Sequence, residues 1–208
     1  MQIGFPALEA LERLREGNRR FAAGLRSLDM LVRQTPRLEL LAGQAPFATI
    51  LGCSDSRVPV EIVFDQGPGD LFVIRVAGNI VAPSQVGSVE FAAEQYGTNL
   101  VVVLGHTRCG AIQATLEQLQ QPAERQSRNL RSIVDRIRPS VTGLLASGLA
   151  DDPEALAREA MRANVRVSVN HLRHGSEVLE RRVAGNGLLI VGAEYSLETG
   201  VVDFFDGL

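Results

Sequence analysis

Residues 100–110 read LVVVLGHTRCG: an unbroken apolar run that ends on a histidine, with a cysteine three places later. The run is too short for an ordinary helix, rich in valine and leucine, and bounded by a turn, so it reads as a strand buried on both faces, the kind found in parallel sheets. The residues that follow, AIQATLEQLQ at 111–120, have helical spacing and propensity. HTRCG (106–110) therefore fills a strand-to-helix turn.

The same alternation extends in both directions. FATILGC (47–53) is a second short apolar strand with Cys53 at its C-terminal end. GPGD (67–70) is a turn signal ahead of the strand LFVIRV, and VGSVEFAAEQYG (86–97) reads as a covering helix. LLIVGAEY (188–195) gives a fourth strand, and LETGVVDFF (197–205) a turn plus a closing strand. Leu8, Leu11 and Leu14 behind Pro6 predict a first helix closed by Gly17, and residues from about Ser27 to Leu41 repeat the helical spacing. From Ala123 to Arg182 the pattern is mostly helical, with breaks expected near Pro139, Gly143, Gly148 and Pro153. The expected fold is α/β: a mostly parallel sheet of four strands plus a C-terminal edge strand, flanked by helices, in a single domain over 1–208. Within it, 1–42 forms an N-terminal helical arm and 43–208 the core.

Composition narrows the function. The chain has 208 residues, 45% hydrophobic and 22% charged, with a formal net charge of −3. This is ordinary for a folded domain and unlike a disordered segment. All 21 basic residues are arginine, which excludes a Schiff-base lysine and a Walker-type phosphate loop. No apolar stretch reaches the ~18 residues of a membrane span, the N-terminus lacks the layout of a secretory signal, and no long basic run marks a nucleic-acid surface. A cytoplasmic protein acting on a small molecule, with no nucleic-acid or membrane partner, is the expectation. The Arg-rich run at 125–138 reads as a solvated helix face.

Chemistry concentrates at the strand ends, where open α/β sheets bind ligands. Cys53 lies at one end, and His106 and Cys109 at another, spaced so that both can turn towards one point. Two thiolates and an imidazole suit zinc, and three protein ligands leave the open position of a catalytic rather than a structural site. The competing readings are a disulfide between the only two cysteines, two inert buried thiols, and accidental adjacency. His171 and His174 lie on a helical stretch and read as solvated or helix-terminal residues. In CSDSR, Asp55 and Arg57 follow Cys53 at alternate positions, so an extended backbone would put all three side chains on one side. Two thiolates cancel the formal charge of Zn²⁺ and weaken its pull on water. A carboxylate that orients the water, held ionised by an arginine, compensates.

CSDSR (53–57) followed by GHTRCG (105–110), with RVAGN (75–79), EFAAEQYG (90–97) and VGAEYSLETGVV (191–202), resembles the β-class carbonic anhydrases over nearly the whole chain. The resemblance implies zinc, one per chain, on Cys53, His106 and Cys109, with Asp55 and Arg57 as the catalytic dyad. It also implies reversible hydration of CO2 to bicarbonate by zinc-hydroxide attack. Asp55 would be a fourth ligand only in a closed state of the site. Gln44, nine residues before Cys53, stands where the plant-like, open subtype carries a glutamine donated across a dimer. The bicarbonate-inhibited subtype shares Val58 and Arg75 but typically has tryptophan at the position of Ile50, and this chain has no tryptophan. By the same resemblance Phe72, Ala77 and Phe91 line the CO2 pocket with Gln44 and Gly110, and a homodimer is the minimal unit, with a tetramer as the larger form. Ala111 departs from the double glycine of many members. Cys109 would begin a helix whose amino terminus favours its thiolate. The alternatives are a hydrolase of carbonyl sulfide or carbon disulfide on the same scaffold, and a non-catalytic zinc or redox-sensing protein.

Overall fold

Leu100–His106 (β3) is buried along its whole length at the middle of a five-stranded sheet in the computed structural model, which describes residues 5–25, 41, 43–120 and 127–208. Ala48–Gly52 (β1) and Leu189–Tyr195 (β4) pair with it in parallel on either side. Leu71–Arg75 (β2) lies outside β1, and Val202–Asp206 (β5) closes the far edge antiparallel to β4, giving the order β2-β1-β3-β4-β5. Four parallel strands with an antiparallel edge is the arrangement expected from the alternating apolar runs.

Side chains of successive strand residues point to opposite faces, so each strand feeds two cores. Leu51, Val101, Val103 and Ile190 enter one core, against Ile112 and Leu116 of α4 (Gly110–Gln120), Ile137 of α5 (Arg128–Leu145) and Met161, Val165 and Val169 of α6 (Pro153–His174). Ile50, Val102, Leu104 and Val191 enter the other, against Leu11 and Leu14 of α1 (Ala7–Ala22) and Val63 and Phe64 around the short α2 (Val60–Val63). Helices α3 (Pro83–Gln95) and α7 (Glu177–Ala184) complete the cover on the first side.

The strand order decides where a site can form. The chain steps outward from β1 to β2, then returns to place β3 on the other flank of β1. Connections therefore leave in opposite directions beyond the C-terminal ends of β1 and β3, which opens a crevice there. Gly52 is opposite Leu104 across this pair, so Cys53 and His106 both emerge at the crevice.

Three expectations need correction. Gly17 does not close α1, which runs on to Ala22. The glycine is instead a point of close approach, since a Cβ there would stand 1.9 Å from the Phe64 carbonyl oxygen. Ala10, Leu11 and Leu14 are consequently buried on the sheet, and the first helix packs into the second core. Pro139 and Gly143 do not break α5. Pro139 is on its exposed face, where water can take up the carbonyl that proline leaves unbonded, while Val134, Ile137 and Val141 anchor the buried face. His106 is the last residue of β3, not the first after it. The helix expected from about Ser27 to Leu41 lies, apart from Leu41, outside the described residues. Among the described residues no helix is long and apolar enough to cross a membrane.

Gly17→Ala should destabilise the fold by about 1–3 kcal/mol, the usual cost of overpacking where backbone cannot retreat. Denaturant unfolding checks this, and wild-type stability would show that α1 does not dock through this contact.

Candidate metal centre

Cys53 follows β1, and His106 and Cys109 flank the turn after β3. The sulfurs are 4.0 Å apart, and with a nitrogen of His106 all three ligand atoms lie within 4.8 Å of one another, each residue buried. A tetrahedral cation with bonds of about 2.0–2.3 Å sets its donors roughly 3.4–3.8 Å apart, so small adjustments bring this trio onto one ion. Both cysteines are free, which removes the disulfide reading.

The histidine is oriented for this. Its Nδ1 donates to the Thr107 carbonyl at 2.9 Å, and since a carbonyl only accepts, Nδ1 carries the proton. Nε2 is left as a lone pair, fully buried and without any hydrogen-bond partner. An orphaned acceptor facing two sulfurs is costly unless something electrophilic fills the gap. The chemistry of the donor set, two sulfurs and one imidazole nitrogen, fits a borderline-soft divalent metal.

Of the two thiols Cys53 is the acidic one. A hydrogen bond from Cys109 holds it well below its ordinary value in spite of burial, helped by the amides of Gly78, which donates to Cys53 Sγ at 3.3 Å, and of Asp55. The same sulfur–sulfur contact and burial push Cys109 up. The amides of Ala111 and Ile112 at the start of α4 pull Cys109 down, as expected of a helix amino terminus, but are outweighed. Two thiols this close share one proton between them, and a cation would replace it.

Asp55 and Arg57 form a bidentate pair: Arg57 Nε donates to Oδ1 at 2.9 Å and Nη2 to Oδ2 at 2.7 Å, while the Arg57 amide also donates to Oδ1 at 3.0 Å. The backbone here is not extended as expected. The Val58 amide donates to the Asp55 carbonyl in a turn, and this brings the arginine back over the carboxylate. Asp55 Oδ2 lies 3.8 Å from His106 Nε2, beside the ligand trio. The guanidinium holds the Asp55 carboxyl well below the usual carboxylate range.

Two further arginine contacts cross-tie the loops. Arg75 donates to the carbonyls of Cys53, at 2.9 Å, and Asp55, at 2.6 Å, clamping the backbone that carries both side chains. Arg57 Nη2 also donates to the Arg108 carbonyl at 3.1 Å, bridging to the second ligand turn. Arg108 occupies the left-handed region at φ 56°, a conformation costing a non-glycine residue about 1–2 kcal/mol. An ion pair from Arg108 Nε to Glu198 at 2.9 Å and a hydrogen bond from the Thr107 hydroxyl to the same carboxylate, also 2.9 Å, fasten this turn to the β4–β5 connection. Sequence reading missed Thr107, Arg108 and Glu198. Their signal was membership of the quoted stretches GHTRCG and VGAEYSLETGVV, which gave them no role of their own.

The family model described as carbonic anhydrase matches residues 48–202, well over half the chain. The chain belongs to the β-carbonic anhydrase family. Carbonic anhydrase 2 of Mycobacterium tuberculosis is 40% identical to it over 191 residues, covering 92% of this chain and 89% of that relative. The β-carbonic anhydrase of Coccomyxa, solved in complex with acetazolamide, superposes with a TM-score of 0.72 at 25% identity, covering 94% of this chain and 86% of that one. A tetrameric β-carbonic anhydrase of Sordaria macrospora shares the fold, with a TM-score of 0.73 at 22% identity, covering 95% and 97% of the respective chains.

In this β-carbonic anhydrase the residues expected to line the substrate pocket fall into two groups. Ala77 and Gly110 sit directly against the ligand loops: Ala77 precedes the Gly78 amide that touches Cys53, and Gly110 follows Cys109 as the first residue of α4. Phe72 and Phe91 gather around Tyr96, with ring centroids 5.9 and 5.7 Å from it, and the Gln44 amide donates to the Tyr96 hydroxyl at 2.9 Å. Phe91 and Gln44 are exposed, on the surface rather than in a closed pocket. His171 and His174 belong to the last turn of α6 and are not grouped with the trio.

Arg57→Ala should return the Asp55 carboxyl towards about 3.9. The sign follows from the depression: the pair stabilises the fold above the ordinary carboxylate pKa and is lost as pH falls towards the depressed value. The variant should therefore show weaker acid-side loss of stability, with Asp55 followed by carboxyl ¹³C shifts. An unmoved titration would mean that Arg57 does not hold the carboxylate.

Proposed function

We propose that this carbonic anhydrase catalyses the zinc-dependent, reversible hydration of CO2 to bicarbonate and a proton, with Cys53, His106 and Cys109 holding one zinc per chain. The observation that carries this reading is the unpartnered, buried Nε2 of His106 facing two sulfurs, with an ion-paired carboxylate 3.8 Å away. Bound there, zinc would supply the Lewis acidity that makes water a nucleophile.

The chain's own residues do the rest. Asp55, ionised by its two contacts to Arg57, accepts a hydrogen bond from the attacking water and so aims its lone pair at the substrate carbon. Arg57 holds the carboxylate off the ligand trio, consistent with Asp55 as acceptor rather than as fourth ligand and with the open arrangement. CO2 has no dipole and partitions to apolar surface, for which Phe72, Ala77 and Phe91 are the wall. Gln44 supplies an amide donor to the developing bicarbonate oxygen, in our reading from the second copy of a homodimer. The exposed Phe91 and Gln44 suit such a shared surface, with a tetramer as the larger assembly. Two free thiols in the centre suit a reducing, cytoplasmic address.

Asp55→Ala should retain stoichiometric zinc by elemental analysis yet lose stopped-flow CO2 hydration by about 10²-fold or more. Cys109→Ser should lose the metal and the activity together. Full turnover in the first variant would remove Asp55 from the mechanism, and full turnover in a zinc-depleted wild type would remove the metal.

A further inference from the structure

Gly78 and Asn79, in the short 3-10 turn Ala77–Asn79 after β2, both have positive φ, 70° and 42°. Two consecutive left-handed residues hold only where the surroundings impose them. A Cβ on Gly78 would stand 2.8 Å from Ile137 Cδ1 and 3.1 Å from Ala111 Cβ, so the turn is wedged against α4 and α5. On its other side two buried side chains one helical turn apart on α6 grip successive carbonyls. Asn164 Nδ2 donates to the Gly78 carbonyl at 2.8 Å, and Ser168 Oγ to the Asn79 carbonyl at 3.1 Å. Asn164 is 1% and Ser168 3% exposed, so neither bond competes with water. The product of this arrangement is one amide aimed at one sulfur: Gly78 N–H on Cys53 Sγ at 3.3 Å.

We propose that Asn164 is a positioning residue for the metal centre, which by gripping the Gly78 carbonyl keeps the Gly78 N–H on the Cys53 sulfur and so reduces the electron density that sulfur donates to a bound cation. This rests on the reading of Cys53 as a ligand. The chemical need is specific to a two-thiolate site: two sulfurs neutralise a divalent cation, and an N–H dipole on one of them returns part of its electrophilicity. Cys109 has its own donors in the first amides of α4. Cys53 lies at no helix amino terminus; beside the smaller contribution of the Asp55 amide, the turn held from α6 supplies the equivalent. Ser168 acts one peptide further on and has the lesser effect.

The test uses full-length protein loaded with cadmium-113 or cobalt. In the cadmium form, the β-protons of Cys53 and Cys109 should show coupling to the metal, and the Gly78 amide proton should show a smaller coupling transmitted through the N–H···S bond. Asn164→Ala should abolish the amide coupling and move that proton upfield, and in the cobalt form should shift the sulfur-to-metal charge-transfer band to lower energy. Ser168→Ala should move the band less. Asn164→Leu, of similar size and without a donor, repeats the test if the alanine variant does not fold. Loss of stability alone, with band and coupling unmoved, would overturn the proposal, as would a wild-type Gly78 amide with no coupling beside clearly coupled cysteines. Uncoupled cysteines would instead refute the ligand assignment itself.

Discussion

Two buried sulfurs 4.0 Å apart, facing an imidazole nitrogen with no partner, are the constraint around which this molecule is built. Such a group does not persist in an apolar core unless its charge is managed from several directions. The surroundings do this: an amide on Cys53, helix-terminal amides behind Cys109, a carbonyl fixing the histidine tautomer, and Arg57 at the rim holding the Asp55 carboxylate. The sheet puts the donors together because they leave the ends of adjacent parallel strands at the point where the connections diverge.

Rigidity here comes from cross-ties more than from any one strong bond. Arg75 clamps the backbone of the first ligand loop, and Arg57 joins that loop to the second through the Arg108 carbonyl. The second loop is in turn fastened to the β4–β5 turn through Glu198. Several of these contacts are at the surface, where a single ion pair contributes little to stability. Their effect is geometric: each removes a rotation that would let Asp55 or a sulfur drift by an ångström, and orientation at that scale decides rates.

Much of this was legible in the sequence because the decisive signals are local. Short apolar runs gave the strands, and the donor residues fell at their ends, so the trio could be assembled on paper. CSDSR likewise announced the Asp55–Arg57 pair, though a turn and not an extended backbone brings the two together. What escaped was long-range. Nothing near Asn164 says that it reaches the Gly78 carbonyl, 86 residues away. Gly17 read as a helix end because glycine ends helices, and only the packed Phe64 carbonyl shows that it is there for lack of a side chain. Pro139 read as a break because periodicity alone does not reveal which face of α5 meets water.

The donors' attachment to strand ends has an architectural consequence. β-Strand pairing fixes Cys53 relative to His106 irrespective of how much chain intervenes, so the excursion through β2 and α3 is, for the metal trio, a detour whose length can drift. What cannot drift is the RVAGN corner inside that excursion, which must come back to touch the first sulfur. Insertions and deletions in such a molecule should therefore gather on the outer helices and their joints, leaving three fixed vertices of backbone around which the rest is free to diversify.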